Sequence, residues 1–270
     1  MIALIAGTGN LPRLLADRLA ARGDMPIICA MEGFAPDIPA HLPRLDFRIE
    51  TLGTLLSTLT MRGVTRLCLA GAVRRPDVDP QMIDAATAPL IPQLAAAMAK
   101  GDDGALRGII AVLEARGFKI VGASEIMPEL LPPAGVLTKA QPLEIHEDLA
   151  RLGQAQIAEL GRGDIGQACI LADNLVVATE GIAGTDAMID GLGPRKGAVL
   201  FKAPKPGQEL RADMPVIGID TAMKAAEYGY DGLVVEADGV MVLDLPQVVD
   251  LLDNMGMFLW IRPRIWRDQA

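Results

Sequence analysis

Residues 1–33, MIALIAGTGNLPRLLADRLAARGDMPIICAMEG, decide how the chain is read. ALIA (3–6) and PIICA (26–30) are aliphatic runs of strand length. Between them a turn with two glycines, AGTGNLP (6–12), opens a segment of helical period over 11–22. Strand, helix, strand is a βαβ unit, whose two strands run parallel and are covered on both faces. The same alternation continues outward, with strands expected near DFRIE (46–50), RLCLAG (66–71) and FKIVGAS (118–124). Helices are expected over 51–62, 81–99 and 104–116. An α/β fold opening with a Rossmann-like parallel-sheet domain follows. LLPPAG (130–135) then breaks the periodicity, because paired prolines lock φ and remove backbone donors. The boundary is placed there, with one domain over 1–132 and a second over 136–270.

The second half reads differently. A helix over 143–160 leads into GQACILA (166–172) and NLVVATE (174–180), a hairpin turning at Asp173. A helix from Thr185, a strand GAVLFKA (197–203) and a Pro/Gly-rich loop come next. Then follow a strand PVIGI (215–219), a helix from Thr221, strands GLVVEA (232–237) and GVMVLD (239–244), a helix from Leu245 and a strand GMFLWIR (256–262). Antiparallel pairs beside helices make this a mixed α/β domain, and no internal repeat is present.

Composition narrows the function. With 270 residues, 51% of them hydrophobic and only 3% aromatic, the chain can bury two aliphatic cores. A net charge of -9 argues against nucleic acid, whose phosphates need clustered cations. Cys29, Cys68 and Cys169 each sit in an apolar run, which reads as buried, reduced and cytoplasmic. The start lacks the basic and apolar regions of a secretion signal, and no stretch approaches the ~20 apolar residues of a membrane span. With His41 and His146 the only histidines, a histidine-rich zinc centre cannot be assembled. Walker A, GxSxG and CxxC patterns are absent.

Several groups of residues point to chemistry, each beside a plainer reading. The turn Gly7-Thr8-Gly9-Asn10-Leu11 lets backbone approach a ligand, and the free N–H groups of the helix it opens favour phosphate. Pro12 stands where a dinucleotide fingerprint wants its third glycine, and Glu32 after the second strand either holds a ribose or is merely solvated. LAGAVRRPDVDP (69–80) places Gly71, Arg74 and Arg75 at a strand's C-terminal end, where guanidinium forks suit a diphosphate or simply form a solvated turn. In GDDGALRG (101–108), Asp102 and Asp103 either cap a helix or contact ligand. Asp173, Glu180, Asp186 and Asp220 all fall at strand ends or just beyond, as a hard oxygen-liganded cation, Mg²⁺ or Mn²⁺, requires. Lys202 and Lys205 either supply phosphate charge or are ordinary surface lysines. Trp260, Trp266 and the arginines of MGMFLWIRPRIWR (255–267) suit a lipid surface or, more simply, a strand and tail packed on their own domain.

Six motifs in order, AGTGNLP, AGAVRRP, GDDGALRG, DIGQACILADN, EGIAGTDAMI and VIGIDT…GLVVEADGVMVLD, span nearly the whole chain. Together they resemble the UDP-2,3-diacylglucosamine pyrophosphatases of the non-calcineurin type, which certain Gram-negative bacteria use in lipid A synthesis. The resemblance implies Mg²⁺-dependent hydrolysis to UMP and 2,3-diacylglucosamine 1-phosphate (lipid X), with the lipid held between two domains. On that reading Asp186, Asp220 and Thr185 are catalytic, and the metal is held by Asp186 and Asp220 with Asp173 or Glu180. Substrate contacts fall to Gly7–Leu11, Gly71, Arg74, Asp102, Asp103, Gly122 and Lys202. The substrate's acyl chains imply peripheral contact with the cytoplasmic face of the inner membrane, and a homodimer is the base-rate expectation. The resemblance also allows an acidic residue in the segment AMKAAEYG (222–229), where Ala225 and Ala226 stand next to the expected site. A dinucleotide-dependent oxidoreductase and a non-catalytic nucleotide-sugar or lipid-binding protein are the alternatives.

Overall fold

In this computed structural model, which describes residues 1–74, 76–99 and 101–264, with backbone alone for Asp102, the opening stretch forms β1 (Ile2–Ala6), α1 (Leu11–Ala21) and β2 (Ile27–Met31). β1 and β2 are parallel neighbours, Ala3 opposite Ile27 and Ala6 opposite Ala30. Both strands are apolar throughout because helices cover both faces. Pro12 sits in the first turn of α1, where its missing N–H has no intrahelical bond to lose.

The chain continues through β3 (Arg44–Phe47), α2 (Leu52–Met61), β4 (Arg66–Ala70), α3 (Ile91–Met98), α4 (Gly101–Ala115), β5 (Lys119–Ile120) and a short α5 (Ala123–Ile126). The sheet is wholly parallel, in the order β3-β2-β1-β4-β5. Strand order reverses between β1 and β4, so the crevice for a ligand opens beyond their C-terminal ends. On one face Leu55, Leu56 and Leu59 of α2, Leu94 of α3 and Ile110 and Leu113 of α4 pack on Ala3, Ile27, Cys29 and Leu67. Each fully buried leucine contributes roughly 1.5–3 kcal/mol.

Two expectations need correcting here. The helix expected over 81–99 exists only as α3, preceded by single 3₁₀ turns at Pro80–Met82 and Ala88–Leu90. Pro80, Pro89 and Pro92 are each tolerated only in a first turn, so they divide the segment. The strand expected over 118–124 shrinks to two residues, and Gly122 instead leads into α5.

The second half comprises β6 (Gly135–Val136), α6 (Glu144–Arg162), β7 (Ala168–Ala172), β8 (Leu175–Thr179), α7 (Thr185–Leu192), β9 (Val199–Lys202), β10 (Val216–Ile217), α8 (Ile219–Glu227), β11 (Gly232–Glu236), β12 (Met241–Val242), α9 (Leu245–Met255) and β13 (Phe258–Arg262). Its main sheet runs β6-β13-β11-β9-β7-β8, with β9, β11 and β13 mutually parallel and β6, β7 and β8 paired antiparallel. The β7–β8 hairpin turns on Asp173 and Asn174, both with positive φ (53° and 59°), a backbone those two residue types tolerate best after glycine. PVIGI and GVMVLD do not join this sheet: only β10 and β12 form, as a separate parallel pair.

Side-chain alternation divides the second core between the two faces of that sheet. Ile170, Leu200, Leu233 and Leu259 meet α7, α8 and α9, while Leu171, Phe201, Val234 and Phe258 meet Leu149, Ile157 and Leu160 of α6. His146 caps α6 by accepting the Leu143 N–H at Nδ1, 2.9 Å away. The chain divides into two compact units, Met1–Pro128 with Arg211–Asp213, and Glu129–Leu210 with Met214–Ala270. Arg211 belongs to the first because its guanidinium donates to Glu114 at 2.6 Å.

Candidate functional site

In the first unit the loops after β1 and β4 are fastened to each other at the point where strand order reverses. Gly7 N–H donates to Ala70 O (2.8 Å), Thr8 N–H to Ala72 O (3.0 Å) and Ala72 N–H back to Thr8 O (2.9 Å). A Cβ on Gly7 would stand 2.4 Å from Ala72 O, and one on Gly71, at φ 85°, 2.6 Å from Thr8 O. These two glycines therefore serve the approach of one loop to the other. Gly9, with φ 95° and nothing within 4 Å of a Cβ, and Asn10 are exposed, and they open α1 with free first-turn N–H groups. The side chain of Leu11 is buried in the core, so only its backbone can face a ligand.

Arg74 is exposed beyond β4, and Arg75 lies outside the described residues. Asp103 lies in the first turn of α4, paired with Arg107 at 2.7 Å one turn on, and the side chain of Asp102 is outside the description. Gly122 follows β5 and donates its N–H to Glu125 at 2.8 Å. Gly7–Leu11, Gly71, Arg74 and Gly122 follow C-terminal strand ends of one sheet, whereas Asp103 opens a helix that follows α3. The sequence reading missed Glu50, which is 1% exposed, accepts the Asp79 N–H at 2.8 Å and Arg48 Nε at 3.2 Å, and has its carboxyl held below the usual range by those bonds.

In the second unit the hairpin and α7 assemble a buried polar group. Glu180, Thr185 and Lys202 are each under a tenth exposed. Glu180 Oε2 accepts the Gln167 N–H at 2.7 Å, and its Oε1 accepts the Thr185 hydroxyl at 2.5 Å. Lys202 Nζ donates to Thr185 Oγ1 at 2.7 Å and lies 3.9 Å from Glu180 Oε1. The Thr185 hydroxyl thus accepts a hydrogen bond from the ammonium and donates one to the carboxylate, a fixed direction for both bonds. β9 is central and β8 is at the edge, so pairing through β7 brings Lys202 and Glu180 to one end of the sheet.

Asp186 and Asp220 occupy the first turns of α7 and α8, and Thr221 Oγ1 donates to Asp186 Oδ1 at 2.8 Å, tying the two turns together. Both carboxylates face helix N-termini, which favour negative charge and, equally, phosphate oxygens. Among the described residues no group of three or more His, Cys, Asp and Glu side chains could hold a metal ion. The four expected ligands are not brought together. Asp173 is at the hairpin tip, paired with Arg195 at 2.5 Å, and Glu180 is at the far end of β8, roughly 20 Å along a strand of this length. Glu180 already has the Lys202 ammonium as its counter-charge.

Other expectations resolve differently. Lys205 pairs with Asp164 rather than standing as a bare surface lysine. Trp260 is half-buried against the α6 side of the core, the packing reading, and Trp266 lies outside the described residues. Ala225 is fully buried among Ile170, Leu233 and Tyr230, so a carboxylate there would enter the aliphatic core. Glu236, passed over as the end of a strand, is 4% exposed opposite Arg262 of β13, and burial raises its carboxyl above the ordinary range. Its signal was available: an acidic residue closing a wholly apolar run. Arg262 in turn donates to Gln154 of α6 at 2.6 Å.

No helix among the described residues is long and apolar enough to cross a membrane. Residues 1–130 match the family model described as the LpxI N-terminal domain, and residues 133–260 match the LpxI C-terminal domain. The UDP-2,3-diacylglucosamine pyrophosphatase LpxI of Caulobacter vibrioides is 38% identical over 270 residues, spanning 96% of this chain and 96% of that protein. With both domain models matched in order and a relative aligned from end to end, this chain belongs to the LpxI family.

Proposed function

We propose that this chain hydrolyses the pyrophosphate of UDP-2,3-diacylglucosamine, releasing UMP and 2,3-diacylglucosamine 1-phosphate for lipid A synthesis. The observation that carries the reading is the near-complete alignment with a relative of that name, across both domains. The site chemistry supports it. A diphosphate carries concentrated negative charge, which helix N-termini favour, and the second unit places Asp186 and Asp220 in the first turns of α7 and α8. Asp186 and Asp220 are the residues that would hold a hard cation such as Mg²⁺, whose preference is for carboxylate oxygen. Such an ion would neutralise charge on the phosphates and lower the pKa of a bound water.

Within this reading the residues divide the work. Asp186, its Oδ1 held by Thr221, and Asp220 would hold the ion when it is bound. Lys202, kept in place by Thr185 and Glu180, adds fixed positive charge behind the first turn of α7, and its cost of burial is offset by Glu180. The substrate's acyl chains reside in a leaflet, so peripheral contact with the cytoplasmic face of the inner membrane belongs to the same proposal.

The test is turnover by Asp186→Asn and Asp220→Asn proteins. Each is expected to lose at least about 100-fold in kcat, the scale of removing one preorganised transition-state contact, with far-UV circular dichroism unchanged. Wild-type turnover in both variants would remove this assignment.

A further inference from the structure

Where β11 and β13 begin, the second unit carries a cleft of about 500 Å³, lined among others by Leu143, Lys196, Asp231, Met255 and Phe258. That volume falls within the range of small-molecule sites, about 300–1,000 Å³. β9, β11 and β13 run parallel, and Lys202 pairs with Val235, four residues on from Asp231. The cleft therefore lies roughly 13 Å along the strands from the Lys202 end, and the hydrolysis proposed above makes no use of it.

One side of the cleft is apolar. Leu143 and Met255 are more than half exposed at its rim, and Met257 and Phe258 are buried in its wall. The two methionines are unbranched and adapt to irregular partners. The other side is polar, and its charges are not balanced. Nδ1 of the buried His146 accepts the Leu143 N–H at 2.9 Å, so the ring proton sits on Nε2 and is directed at Asp231 Oδ2, 3.3 Å away. The acid of the wall thus already has a donor.

Lys196 has none to give it an opposite charge. It is exposed and makes no ion pair among the described residues. Its stem passes over Gly229, where a Cβ would stand 3.5 Å from Lys196 Cγ, so the aliphatic part is held against the cleft while the ammonium is in water. Tyr230 belongs to the same wall, and its buried hydroxyl finds no hydrogen-bond partner among the described residues. The unmatched charge is positive and stands beside an apolar wall, which suits an anionic head on an apolar chain.

We propose that this cleft binds a carboxylate amphiphile, an acyl anion of medium chain length, with the carboxylate on Lys196 and the chain along Leu143, Met255, Met257 and Phe258. Such binding is independent of the pyrophosphatase reading, since it occupies the opposite end of the sheet.

Titration calorimetry of the full chain with decanoate and with decyltrimethylammonium, both below their micellar concentrations, tests it. The two probes share a chain and differ in the sign of the head. Wild type is expected to bind one decanoate, and at least about fivefold more tightly than the cation, the scale of one partly exposed ion pair. Lys196→Glu lowers decanoate affinity at least about fivefold, and Met255→Ser, which shortens the apolar wall, lowers it by a similar factor. Both side chains are exposed, so far-UV circular dichroism and turnover of the variants should match the parent. No saturable binding of decanoate, preference for the cation, or decanoate affinity that persists in either folded variant overturns the site.

Discussion

Replacing Glu180 by alanine separates two roles a strand-end carboxylate can have. Glu180 is 6% exposed and Lys202 5%, with the ammonium 3.9 Å from Oε1. Removing the carboxylate leaves the Gln167 N–H and the Thr185 hydroxyl without their acceptor and strips a buried ammonium of its counter-charge. An orphaned buried donor costs about 1–3 kcal/mol. Breaking a buried ion pair from one side costs about 3–5 kcal/mol. These penalties overlap, since the same lysine and threonine relax together, so the expected total is about 4 kcal/mol. With a urea m-value of about 2 kcal/mol/M, the unfolding midpoint of the second unit falls by about 2 M. Glu180→Gln keeps one acceptor and loses about half as much, and adding Lys202→Met to it restores part of the loss, because no unpaired charge is then buried. The assay is urea denaturation followed by far-UV circular dichroism, alongside Mg²⁺ titration of turnover. A Glu180→Ala protein with its midpoint within about 0.3 M of the parent and a much weaker Mg²⁺ dependence would refute this reasoning and make Glu180 a metal ligand.

Gly71→Ala is expected to destabilise the first unit by about 2 kcal/mol or more, since φ is 85° and the new Cβ would meet Thr8 O at 2.6 Å; a thermal-melt midpoint equal to the parent's would contradict the loop fastening. Burial raises the Glu236 carboxyl above its ordinary 4.5, so its contribution to stability is full below that pH and is lost as pH rises through the folded value. Glu236→Gln should therefore gain stability relative to the parent as pH rises from about 4.5, and a pH-independent difference in unfolding free energy counts against the shift. Burial pushes the Cys29, Cys68 and Cys169 thiols up to about 12, so the native protein should resist a disulfide reagent at pH 8 and react at all three once unfolded in urea.

Much of this architecture is legible in the residues. The run from Ile2 to Met31 announces βαβ because both strands are continuously apolar and the helix between them is amphipathic. The hairpin at Asp173 is equally plain. What local pattern cannot carry is partnership between distant segments. Lys202 meets Glu180 only because β7 pairs with both β8 and β9, so an isolated acidic residue at a strand end was read as a metal ligand when its counter-charge is an ammonium. Gly7 was read as letting the backbone approach a ligand and Gly71 as a substrate contact; local pattern gave no sign that each also makes room for the other's loop. Glu50 escaped notice because charge within a short segment gives no sign of burial. The segment at Arg211–Asp213 shows the same limit: an exposed-looking loop joins the first unit through a long-range ion pair with Glu114.

Release of UMP from UDP-2,3-diacylglucosamine by the purified full chain, with Mg²⁺ and then with chelator, is the decisive measurement. Stoichiometric UMP and 2,3-diacylglucosamine 1-phosphate with Mg²⁺, abolished by chelator and restored by added Mg²⁺, is the predicted result. Intact substrate after prolonged incubation of the folded protein with Mg²⁺ or Mn²⁺ would contradict the proposed hydrolysis.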